Sequence, residues 1–122
     1  MLRIRLLGCA LLSAFIAVPA IAHVTLERNE APVGAPYKAV LRVPHGCDGS
    51  PTIKLTVQIP DGVIAVKPMV KPGWQIDVKR GPYTKNYSYF HGAKFSEGVK
   101  EVTWSGGRLP DAFYDEFVLS VF

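Results

Sequence analysis

No segment of this chain carries a hydrophobic period of 3.6, so helices contribute little to its regular structure. Internal repeats, low-complexity stretches and linkers are also missing, and 122 residues set one domain as the expected count. Clustered positive charge is absent: the lysines are scattered, which argues against a nucleic-acid partner despite a formal net charge of +4. No Ser/His/Asp nucleophile pattern, phosphate-binding loop or pair of catalytic carboxylates occurs, so nothing points to an enzyme. Methionine is sparse, with Met69 alone in the body of the chain, which removes a methionine-rich Cu(I) site. Cysteine is nearly missing too, being confined to Cys9 and Cys47.

What is present begins with an export signal. Arg3 and Arg5 form a basic start, residues 6–20 form an apolar middle, and Ala20-Ile21-Ala22 fits the small-x-small cleavage rule. The apolar run is short for a bilayer span of about 20 residues, so cleavage after Ala22 is preferred to a membrane anchor. The domain then covers residues 23–122, in the periplasm or outside the cell. Removal of residues 1–22 takes Arg3 and Arg5 away, leaving 12 Lys and Arg against 10 acidic residues, so the high isoelectric point belongs partly to the signal. Cys9 leaves with the signal, and Cys47 becomes a lone thiol. It is either free, paired between chains, or deprived of a partner beyond the end of this sequence.

Cleavage at that point makes His23 the first residue. An N-terminal histidine offers an α-amine and an imidazole Nδ1 that grip one metal ion as a chelate. Both must be deprotonated, and an α-amino pKa of about 7.7–8.0 lets a metal displace the proton near neutral pH. Nitrogen donors in a flat arrangement suit Cu(II), which heads the divalent affinity order.

From His23 onward the pattern is that of strands with punctuation. Residues 24–27, 37–43, 63–67, 74–78, 101–104 and 116–122 read as strands, and 83–90 as an irregular one. The cleanest alternation is Ile53, Leu55, Val57 and Ile59 against Lys54, Thr56 and Gln58, ended by Pro60-Asp61-Gly62. Arg80-Gly81-Pro82 and Ser105-Gly106-Gly107 read as strand ends, and residues 44–51 as a loop. Short strands divided by Gly/Pro turns predict an all-β fold, an antiparallel β-sandwich.

Oxygen donors for a copper site come from Leu109-Pro110-Asp111-Ala112-Phe113-Tyr114-Asp115-Glu116-Phe117. In an extended segment Asp115 and Glu116 point to opposite faces, with Phe117 sharing the inward face of Asp115. Taken singly, each of these acids reads as an ordinary surface charge. His45 and His91 lie in or near loops and read as solvent-facing unless a metal recruits them. Trp74 and Trp104 read as core or sheet-face residues.

Several motifs in order carry a resemblance: Ala22-His23-Val24-Thr25-Leu26, Gly34-Ala35-Pro36-Tyr37-Lys38-Ala39-Val40, Val43-Pro44-His45-Gly46-Cys47, Val57-Gln58-Ile59-Pro60-Asp61-Gly62-Val63, Lys71-Pro72-Gly73-Trp74, Val102-Thr103-Trp104-Ser105-Gly106-Gly107 and Leu109-Pro110-Asp111 through Tyr114-Asp115-Glu116-Phe117. Together they make residues 23–117 similar to the YcnI-like copper-binding domain family of exported bacterial proteins. The resemblance implies a cupredoxin-like or immunoglobulin-like sandwich and one Cu(II) held by a single-histidine brace. In that brace the leading histidine, here His23, chelates through amine and ring, a later carboxylate adds oxygen, and a tryptophan lies close by. The carboxylate maps to Glu116 or to Asp111, with Glu116 preferred because it opens the final strand. Family members continue past the position of Phe122 with a second cysteine, expected to pair at the Cys47 position, and a late tryptophan. Both are missing here, so the chain reads as incomplete at its C-terminus, and neither Trp74 nor Trp104 inherits the tryptophan role.

Three functions compete. The first is carriage or buffering of copper without catalysis, with a membrane copper transporter or another periplasmic copper protein as partner. The second is a copper enzyme of the lytic polysaccharide monooxygenase kind, in which His45 or His91 supplies a second imidazole. The third is a metal-free β-sandwich interaction module.

Overall fold

The computed structural model describes residues 23–122. The signal reading and Cys9 therefore lie outside the described residues. Among those described, no helix is long and apolar enough to cross a membrane. The regular structure is β1 (Thr25–Leu26), β2 (Tyr37–Val43), β3 (Thr52–Gln58), β4 (Lys67–Pro68), β5 (Gln75–Ser88), β6 (Lys94–Leu109) and β7 (Asp115–Val121), with one 3-10 turn at Phe90–Gly92.

Two antiparallel sheets result, one in the order β1-β2-β7-β4 and the other β3-β6-β5. The all-β sandwich expected from the strand pattern is what forms. Period-two alternation explains the layering. On β2, Ala39, Leu41 and Val43 turn inward, and on β7 Phe117, Leu119 and Val121 do the same. They meet Val99, Val102, Trp104 and Leu109 from β6. Trp104 and Val102 are fully buried and Phe117 is 1% exposed, so the core is centred where β6 faces β7.

Several local expectations are corrected. The strand at 74–78 does not stop at Arg80-Gly81-Pro82 but runs on to Ser88. Register shifts after Lys79 and after Pro82 absorb the irregular residues. β5 is an edge strand, where a proline removes no needed ladder bond. The strand at 101–104 likewise extends through Gly106 and Gly107 to Leu109. Gly107 is there for space: a Cβ would lie 2.1 Å from the Trp74 ring. Residues 63–66 are not a strand, although Ile64 exchanges two backbone hydrogen bonds with Phe122, each 2.9 Å long. Ile53, expected inward with Leu55 and Val57, is 61% exposed. A register shift between Thr52 and Lys54 turns it out of the alternation.

Candidate metal centre

The antiparallel pairing gathers the chemistry at one end of the sandwich. β2 ends at Val43, whose partner is Asp115 at the start of β7. The loop at 44–51 and the turn at 110–114 therefore emerge side by side. β1 runs antiparallel to β2, with Thr25 opposite Arg42. Continuing that register by two residues carries His23 to the root of the same loop.

There the structure places His23 beside His45. Their rings are edge to face, with centroids 6.1 Å apart. His23 is exposed and His45 half-buried. The His45 ring is oriented by its own loop, Nδ1 lying 2.8 Å from the carbonyl oxygen of Gly46. The Gly46 N–H in turn donates to Asp111 Oδ1 at 3.0 Å. The loop then folds back through a turn in which Ser50 N–H donates to Cys47 O at 3.0 Å. Asp48 and Gly49 at its centre both have positive φ, 51° and 75°, as a tight mirror-image turn requires. Gly46 is buried beneath this turn, and a Cβ on it would sit 1.7 Å from the Ser50 carbonyl oxygen. No other residue fits without moving the loop.

The two carboxylates singled out from the sequence have different surroundings. Asp111 is tied to the histidine loop through Gly46. Glu116 sits on the outer face of the sheet opposite Arg42, the residue that also faces Thr25. Its contact with the Arg42 guanidinium is long, 3.9 Å, and both side chains are substantially exposed, so the pair contributes at most about 1 kcal/mol. Asp115 points the other way, as expected from alternation, and meets Lys71 Nζ at 2.7 Å.

The remaining candidates are placed elsewhere. His91 lies in the turn between β5 and β6, exposed and with a positive φ of 58°. Trp104 donates its indole N–H to Met69 O at 3.3 Å inside the core, and Trp74 packs edge-on against Phe117 with centroids 5.0 Å apart. Cys47 is an exposed free thiol among the described residues. It lines a hollow of about 350 Å³ together with Val24, Val43, Ile53 and Leu55.

Among the described residues, no group of three or more His, Cys, Asp or Glu side chains is assembled to hold a metal. The two imidazoles at this end are nitrogen donors of the kind Cu(II) takes, and among the described residues no carboxylate completes a set of three with them. Sequence reasoning read His45 as solvent-facing, with an extra ligand as the alternative, and the structure leaves it half-buried beside His23. The signal that could have found it is the β1–β2 register, which brings the start of one strand to the end of the other.

The family model for the domain of unknown function DUF1775 matches residues 23–122. The chain belongs to the DUF1775 family. The match spans every strand of the sandwich and opens on His23. No curated protein and no solved structure matches this DUF1775 chain.

Proposed function

We propose that this DUF1775 protein is an exported, YcnI-like copper-binding protein that carries or buffers one Cu(II) in the periplasm or outside the cell. The observation that supports it best is the placement of His23, exposed just ahead of β1. Once the signal is removed after Ala22, the His23 nitrogen becomes an amine, and amine and ring form the chelate. Glu116 is the carboxylate assigned to the ion, since it shares the outer face with Thr25 and is held only by the long contact to Arg42. Asp111 is the alternative oxygen donor. A bound Cu(II) supplies an ion for transfer to a membrane copper transporter or another periplasmic copper protein.

The test uses the full chain expressed with its own leader, with the mature N-terminus read by intact mass. Copper titration followed by electron paramagnetic resonance is expected to give one Cu(II) per chain. His23→Ala, or one extra residue ahead of His23, is expected to abolish that binding. Unchanged stoichiometry in the extended protein removes the chelate, and no copper uptake by correctly processed protein favours a metal-free interaction module. The proximity of the two rings is the one feature favouring a second reading, an oxidative copper enzyme of the lytic polysaccharide monooxygenase kind. Oxidised oligosaccharides formed from a polysaccharide with a reductant would establish it.

A further inference from the structure

We propose that the end of the sandwich opposite His23 binds a single-chain anionic amphiphile, a medium-chain fatty acid, with its alkyl chain between the sheets and its carboxylate at Lys85. The proposal is independent of the copper reading.

A hollow of about 500 Å³ opens at that end, within the size range of small-molecule sites. Tyr37 opens β2 opposite Val121 at the close of β7, and both line the hollow. Lys85, Tyr87 and Ser88 line it from β5, which belongs to the other sheet, so the hollow lies between the two sheets. The register shift between Pro82 and Tyr87 frees Lys85 from the β5–β6 ladder. Val33, Val63, Ile64 and Val121 give aliphatic walls, which suit an alkyl chain. Ile64 and Val121 are buried, whereas Val33 is fully exposed although it borders the same hollow. A chain seated there covers it.

The polar groups on the lining select the head. Both tyrosine hydroxyls are spent, Tyr37 donating to the Arg28 carbonyl oxygen and Tyr87 to Asp61 at 2.6 Å. Asp61 in turn is satisfied by Thr84, Tyr87 and Lys100. Lys85 carries the charge on this lining. Its Nζ lies 5.3 Å from the Tyr87 ring centroid, and among the described residues it has no ion-pair partner. An aliphatic hollow with one unspent cation at its rim complements an apolar chain ending in an anion. A ligand polar along its length would strand its groups against Val63, Ile64 and Val121.

Calorimetric titration of the processed protein with hexanoate, octanoate and decanoate, each below its micelle concentration, is expected to show one site per chain. Affinity should rise about fourfold per added methylene. Decanol, which lacks the charge, should bind about three- to fivefold more weakly than decanoate. Lys85→Gln should bring decanoate to the level of decanol, with decanol and copper binding unchanged. Methyl resonances of Val63, Ile64 and Val121 should shift as decanoate is added. Absence of saturable decanoate binding overturns the proposal, as do shifts confined to the hollow beside Cys47. Decanol binding as tightly as decanoate, or Lys85→Gln without effect on decanoate, overturns the anionic head and the proposal with it. If Lys85→Gln fails to fold, the wild-type comparison of decanoate with decanol decides. None of these measurements needs copper, so loss of the His23 chelate leaves them standing.

Discussion

The two ends of β3 treat their polar groups in opposite ways. At its far end, just past Gln58, Asp61 is saturated with donors. Thr84 Oγ1 donates to Oδ2, and Tyr87 OH does so at 2.6 Å. Lys100 Nζ lies 3.3 Å and Thr84 N–H 3.4 Å from Oδ1. The Thr84 and Tyr87 hydroxyls and Lys100 hold the Asp61 carboxyl well below the usual carboxylate range. Tyr87, donating to that carboxylate, is pushed above the ordinary phenol value. At the near end, before Thr52, His45 spends one ring nitrogen on its own loop and leaves the other unspent. Glu116 there holds only a long contact to Arg42. A carboxylate with four donors is a structural tie between the β3–β4 connection and the β5–β6 hairpin. Groups kept oriented but under-used are the ones available to a ligand.

Substitutions can break or sharpen that contrast. The largest effect is expected from Trp104→Ala, which undermines both ends because both rest on the same core. Trp104 is fully buried against Phe117, with ring centroids 5.4 Å apart. Its truncation should cost about 3–5 kcal/mol in denaturant unfolding, a large share of the roughly 5–15 kcal/mol typical of a domain. Next, Gly46→Ala should strike the near end alone. Its Cβ must displace the Ser50 carbonyl, so the loop moves and His45 with it. The stability loss should be about 1–3 kcal/mol, read by melting.

The smallest effect is expected from Asp61→Asn, which should touch only the far end. Copper binding should be unchanged and the melting temperature lowered. Because the folded pKa of Asp61 is depressed, its contribution is fully present above the unfolded carboxylate pKa of about 3.9. It is lost as pH falls from there through the folded value. The difference in melting temperature between wild type and Asp61→Asn should therefore shrink as acid is added below about pH 4. A difference that stays constant down to strong acid would show that the tie is not electrostatic.

The positions of most strands were legible in the residues. The alternation in 37–43 and at the end of the chain gave β2 and β7 nearly to the residue, and Asp115 and Glu116 divided between faces as extended geometry requires. Lengths were less legible. Gly81, Pro82, Gly106 and Gly107 read as stops, yet all four lie inside strands. An edge position excuses the proline, and the Trp74 ring needs the space beside Gly107. His23 stood out as a candidate ligand because it follows Ala20-Ile21-Ala22, a run that reads as a cleavage site, which is local information.

The sequence by itself determined an all-β chain with a histidine at the head of its domain, because alternation and punctuation act over a few residues at a time. Only the tertiary structure decided which groups that histidine meets. Strand register, set by contacts between residues far apart in the chain, brought His45 to its side and tied Asp111 to Gly46. It also set Glu116 across from Arg42, two strands from Thr25. No local pattern encodes that choice, since a shift of one residue in the β1–β2 pairing would turn the ring to the opposite face.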